Sequence, residues 1–125
     1  MKWEFDNKRP IYLQIVEQIK LMIVSGEYNP GDKLKSVREL AYDAKVNPNT
    51  MQRALAELER DNLVFANRTA GRFITDDGDK IQQLKYETAQ CKVSDFLRDM
   101  NQIGYDTENV INIIKNYNER RQKNE

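Results

Sequence analysis

The side chains of this chain whose types and spacing suit chemistry are amides, hydroxyls and guanidiniums, and they come in short groups. Asn47-Pro48-Asn49-Thr50 is followed by Gln52 and Arg53. Upstream stand Lys33, Lys35, Ser36 and Arg38; downstream, Arg68 and Arg72 flank a polar loop containing Thr69 and Gly71. Amides match the donor and acceptor pattern of an adenine edge, arginine that of guanine or a phosphate, and lysine the phosphate charge. Groups for catalysis are scarce by comparison. The chain has no histidine, which removes the commonest general base and the commonest zinc ligand. Its one cysteine, Cys91, rules out an intrachain disulfide. No clustered carboxylate pair, metal-ligand cluster or Gly-rich phosphate loop is visible, so no cofactor or metal is implied. These residues offer the chemistry of recognition, and an enzyme has little support.

Length and charge set the bounds. The 125 residues suit one compact domain, or a small domain with a short appendage. The 20 basic and 20 acidic side chains cancel, so the total does not announce nucleic acid. Residues 1–75 carry 12 basic and 10 acidic side chains and residues 76–125 carry 8 and 10, a weak asymmetry. A case for DNA must therefore rest on local placement of charge. No run approaches the roughly 20 apolar residues of a membrane span. Met1-Lys2-Trp3-Glu4-Phe5-Asp6 lacks an apolar signal core, so a cytoplasmic protein with no membrane partner is expected.

The elements that must position these groups follow from periodicity and caps. Residues 1–10 read as irregular. Tyr12, Ile15, Ile19, Met22 and Ile23 recur at helical spacing, which predicts a helix over 11–25 that stops at Ser25-Gly26. Tyr28-Asn29-Pro30-Gly31 is a turn. Ser36-Val37-Arg38-Glu39 is a capping box that opens a helix over about 37–44. After a break at Lys45-Val46, Asn47 as N-cap and Pro48 at the first position start the next helix, with Met51, Leu55 and Leu58 inward. Two short helices around a tight break make a helix-turn-helix. Leu63-Val64-Phe65-Ala66 and Arg72-Phe73-Ile74-Thr75 around a Gly-containing loop read as a β-hairpin. A long helix to about Gln102 and a last helix from Asp106-Thr107 follow, with the charged residues 118–125 expected to fray. The expected fold is mainly α with a small β-hairpin wing: a winged helix-turn-helix over 1–76 and a two-helix tail over 77–125.

The order Pro30-Gly31-Asp32-Lys33-Leu34-Lys35-Ser36-Val37-Arg38-Glu39-Leu40-Ala41, then Val46-Asn47-Pro48-Asn49-Thr50, Ala54-x-x-x-Leu58 and Gly71-Arg72-Phe73-Ile74, resembles the GntR family of bacterial transcription regulators. The Asn-Pro-Asn form and the short tail are similar to its YtrA subfamily. The resemblance implies that the third helix enters the DNA major groove. Asn47, Asn49, Thr50, Gln52 and Arg53 lie at its start. Asn47 and Pro48 serve it at least as caps. For Arg53 the alternatives are a base, a phosphate or an ion pair with Glu57, four residues on. The resemblance makes Arg38 a base or phosphate contact, its alternative being a surface pair with Glu39 or Asp43. Ser36 is first a cap, with a backbone N–H there free to meet phosphate. Arg68 and Arg72 would carry the wing to the minor groove or backbone, their alternative being solvated loop arginines. Lys33 and Lys35 would add nonspecific phosphate attraction. The sequence departs from the wider family at Lys35, where Pro is usual before the helix-2 Ser, at Asn47-Pro48-Asn49, where Ser/Thr-Arg-x is commoner, and at Thr69, where a wing Gly is usual, so that only Gly71 of that pair remains.

The tail carries Leu84, Cys91, Phe96 and Met100, then Val110, Ile111, Ile114 and Tyr117 on a broad apolar face. That face is too wide to leave in water, and a homodimer reading an inverted repeat on double-stranded DNA is the expected use; the alternative is an intramolecular helical hairpin. Cys91 reads as a small hydrophobe. The resemblance implies a repressor, often of transporter genes, and supplies no defined effector pocket, so no small-molecule effector is assigned. The competing function is a winged-helix protein-interaction module without DNA affinity.

Overall fold

The predicted starts of the second and third helices are each built by a local side-chain hydrogen bond. In the computed structural model, which describes residues 2–123, the Ser36 hydroxyl accepts from the Glu39 N–H at 3.2 Å. Glu39 in turn accepts from the Ser36 N–H at 3.3 Å, which closes the capping box that opens α2 (Val37–Ala44). The Asn47 side chain accepts from the Asn49 N–H at 2.8 Å, and Pro48 opens α3 (Pro48–Arg60). Between them Lys45 takes the left-handed conformation, φ 57°, and turns the chain in the space of Lys45-Val46-Asn47. Before both comes α1 (Ile11–Val24), which stops at Ser25-Gly26 as its pattern predicts. Ahead of it the irregular segment is strapped down by the buried Gln14, whose amide bonds the backbone of Asp6 and Arg9 at 2.9–3.0 Å.

The hairpin is β1 (Val64–Asn67) paired antiparallel with β2 (Gly71–Ile74), in the register Val64↔Ile74 to Asn67↔Gly71. The segment 31–34 extends this sheet on its far side. Ile74 N–H donates to Asp32 at 2.8 Å, Leu34 N–H to Arg72 at 2.9 Å, and Lys33 bridges Phe73. Leu34 is buried and pins the segment in place. One core joins these elements: Ile15, Ile19 and Ile23 of α1, Leu40 and Ala41 of α2, Met51, Leu55 and Leu58 of α3, and Val64 and Ile74 of the hairpin.

Two further helices follow, α4 (Gly78–Gln102) and α5 (Thr107–Lys123). The chain divides into two compact units within α4, after Lys85, because Ile81 and Leu84 pack against the winged-helix core. In the second unit Val110 is buried, whereas Phe96, Ile111, Ile113, Ile114 and Tyr117 are exposed. Cys91, read as a small hydrophobe, is also exposed within the single chain. Contrary to the expected fraying from 118, the helix continues to Lys123. Arg120, Arg121 and Lys123 lie in its last turn, where cations suit the negative end of the helix dipole. Among the described residues no helix is long and apolar enough to cross a membrane.

Candidate DNA interface

The two faces of α3 divide cleanly. Met51, Ala54, Leu55 and Leu58 are buried, while Asn47, Pro48, Asn49, Gln52 and Arg53 are exposed and Thr50 is half-buried. The helical period does this: positions 51, 54, 55 and 58 form one stripe, which leaves 49, 52 and 53 on the other side. The Asn47 amide oxygen is spent on the cap, whereas Asn49 and Gln52 keep their side-chain donors and acceptors for a ligand.

Arg53 does not lie loose on this face. Its guanidinium carbon sits 3.8 Å from the centroid of the Tyr12 ring, which reaches it from the first turn of α1. The ion pair with Glu57 considered from the sequence does not form, because Glu57 is taken by Arg60 at 3.2 Å. Arg38 is exposed on α2. Neither of its considered partners takes it: Glu39 is used in the capping box, and Asp43 pairs with Lys35 at 2.9 Å. The side chains of that last pair are 62% and 41% exposed, so it contributes little to stability. The hydrogen bond and charge of Asp43 hold the Lys35 ammonium above its ordinary pKa, so Lys35 stays a cation.

The wing is built around Gly71. Its φ of 102° is one that a side chain disfavours, and an added Cβ would stand 3.3 Å from Cε of Lys33. With Gly71 in that conformation, Thr69 needs no glycine-like geometry. Instead the Asn67 side chain accepts from both the N–H and the hydroxyl of Thr69 at 3.0 Å, which orders the loop that carries Arg68. Arg68 points to solvent without a partner among the described residues. Arg72 differs: its Nε donates to Glu59 at 2.6 Å, which ties the wing to the last turns of α3. Lys33, Lys35, Ser36, Arg38, Gly71 and Arg72 together line one groove between the wing and the start of α2. The structure thus brings together the predicted residues of α2 and the wing. Sequence reasoning missed Tyr12, Glu59 and the pairing of 31–34 with β2. Tyr12 showed only as one member of an apolar stripe, and the others carry no local signal.

A helix-turn-helix with a hairpin wing and an exposed polar face on its third helix defines the class as a winged-helix DNA-binding protein. The chain belongs to the GntR family: the model of "Bacterial regulatory proteins, gntR family" matches residues 11–74. It is 40% identical over 116 residues to the uncharacterized HTH-type transcriptional regulator YhcF of Bacillus subtilis (strain 168), covering 93% of this chain and 96% of that protein. With the HTH-type transcriptional repressor YtrA of the same organism it shares 44% over 70 residues, 56% of this chain and 54% of that one. A GntR family transcriptional regulator from Listeria monocytogenes superposes with a TM-score of 0.83 at 43% identity, covering 90% of this chain and 98% of that one. The DNA-binding domain of AraR in complex with an operator has the same fold, with a TM-score of 0.55 at 24% identity over 60% of this chain and 96% of that one. The protein is a transcriptional regulator with a DNA-binding GntR domain.

Proposed function

We infer that the protein is a homodimeric repressor of an inverted-repeat operator, with α3 of each copy in the major groove and each wing at the adjoining minor groove. Residues 1–76 are the reading domain and 77–125 the dimerisation tail. The observation that carries this reading is the division of α3, whose buried stripe fixes it to the core while Asn49, Gln52 and Arg53 stand outside. In this reading Asn49, Thr50, Gln52 and Arg53 meet base edges, with the amides suited to adenine and the guanidinium to guanine. Asn47 and Pro48 hold the helix start that presents them. Lys33, Lys35, Ser36 and Arg38 meet phosphate in their shared groove, and Arg68 enters the minor groove from a loop that Thr69 and Gly71 shape. Arg72 braces the wing through Glu59. The name of the repressor YtrA supports the direction of regulation.

The dimer rests on the tail. Phe96 is 44% exposed, Ile111 47%, Ile114 46% and Tyr117 63% in the single chain. Covering a fully exposed large apolar side chain gains about 1.5–3 kcal/mol and a half-exposed one roughly half of that, so several together favour a second copy on this face. Cys91 and Met100 lie on the same helix as Phe96, whereas Leu84 is partly covered by the winged-helix core and Val110 is buried within one chain, which leaves these two less to offer a partner. Two copies double the few base contacts of one small domain through effective concentration. The work needs no catalytic group and belongs in the cytoplasm with the DNA.

The test is a titration of labelled promoter fragments, including the one ahead of the protein's own gene, with unlabelled competitor DNA at moderate salt. Saturable binding to some fragments, resistant to competitor, is expected. Absence of any saturable, sequence-selective binding would sink this reading, and no binding to any fragment would leave a protein-interaction module as the better one.

A further inference from the structure

Tyr12 belongs to the first turn of α1, and its ring packs against the winged-helix core, so it is a fixed surface. The Arg53 guanidinium lies over that ring, 3.8 Å from its centroid. Stacking engages the face of the guanidinium, and its five N–H groups point outward in the plane, so they remain free for a ligand. Among the described residues no carboxylate pairs with Arg53, since Glu57 is held by Arg60. Arg53 is therefore oriented without being neutralised. A long arginine that must be ordered on binding loses rotamer freedom, and a platform that orders it beforehand removes part of that loss. It also restricts the directions in which the planar fork can donate, and a bidentate contact to guanine O6 and N7 demands one such direction.

We propose that Tyr12 is a specificity-positioning residue, whose ring presets the Arg53 fork for one guanine edge of the operator. This rests on the reading of α3 as the base-reading helix. It makes a residue outside the helix-turn-helix part of sequence discrimination. The ring acts through its face, so the phenol hydroxyl is dispensable and an aliphatic side chain is not a substitute.

The experiment uses the full chain and a library of randomised DNA duplexes, with the bound and free fractions sequenced to give the base preference at each position. Arg53→Ala identifies the position that Arg53 reads. At that position Tyr12→Leu is expected to lower the guanine preference about fivefold to tenfold, within the range of one bidentate contact, and to leave the others unchanged. Tyr12→Phe is expected to keep it, and the double variant to match Arg53→Ala alone. Arg53→Lys, which keeps the charge but not the plane, is expected to lose the same preference, and it tests the proposal even where Tyr12→Leu folds poorly. A ratio between sequences does not depend on the active fraction, so a merely structural effect leaves it unmoved. An unchanged preference in Tyr12→Leu, retention in Arg53→Lys, or a uniform loss in Tyr12→Phe that marks the hydroxyl as a phosphate contact would each overturn the proposal. A wild-type protein without any base preference would overturn the reading of α3 as well, so the two failures are distinguishable.

Discussion

Asn47 and Asn49 share a residue type but have different surroundings, so removing each has a different cost. The Asn47 oxygen holds the Asn49 N–H at 2.8 Å, so Asn47→Ala is expected to cost about 1 kcal/mol of stability, read as a lower melting temperature. The Asn49 side chain is exposed, so Asn49→Ala is expected to leave stability within about 0.5 kcal/mol and to lose preference for one base pair. Lys35→Ala is expected to weaken all sequences about equally and to reduce the salt dependence of binding. Equal behaviour of Asn49→Ala and Lys35→Ala across a panel of operator variants would refute the assignment of base to one and phosphate to the other. The caps were legible in the sequence because their partners lie two and three residues away. The platform under Arg53 and the brace on Arg72 were not, because Tyr12 and Glu59 come from elements that only the tertiary fold brings near.

Elements set which of these residues can act together. The inward stripe of α3 holds the reading face in place, and Leu55 at its centre is fully buried. Leu55→Ala is expected to cost about 2–5 kcal/mol in urea unfolding, which would consume much of the stability of a small domain. In the wing, Gly71→Ala forces a side chain into a conformation that costs about 1–2 kcal/mol and crowds Lys33. A lower melting temperature together with weaker binding is the expected result, and an unchanged protein would contradict the account of the turn. Helix starts, the hairpin and the break at Lys45-Val46 could be read from pattern and punctuation. The pairing of 31–34 with β2 could not, because that pairing is a long-range contact of a short segment without alternation. The end of α5 was missed for a related reason: a charged last turn has no apolar period, yet its cations suit the helix dipole.

At the scale of the whole molecule the proposed dimer rests on the exposed apolar side chains of the tail. Ile114→Asp places a charge in that face, and sedimentation is expected to show a monomer where the wild type is a dimer at micromolar concentration. A wild type already monomeric there would refute the dimer. A dimer that reads two symmetric half-sites through α3 and the wing protects DNA symmetrically, and hydroxyl-radical footprinting of a bound promoter fragment measures this. Two protected half-sites of inverted sequence are expected, their centres about one helical turn or a multiple of it apart. Protection of one half-site alone, or even protection along the fragment with no sequence symmetry, would contradict such a dimer.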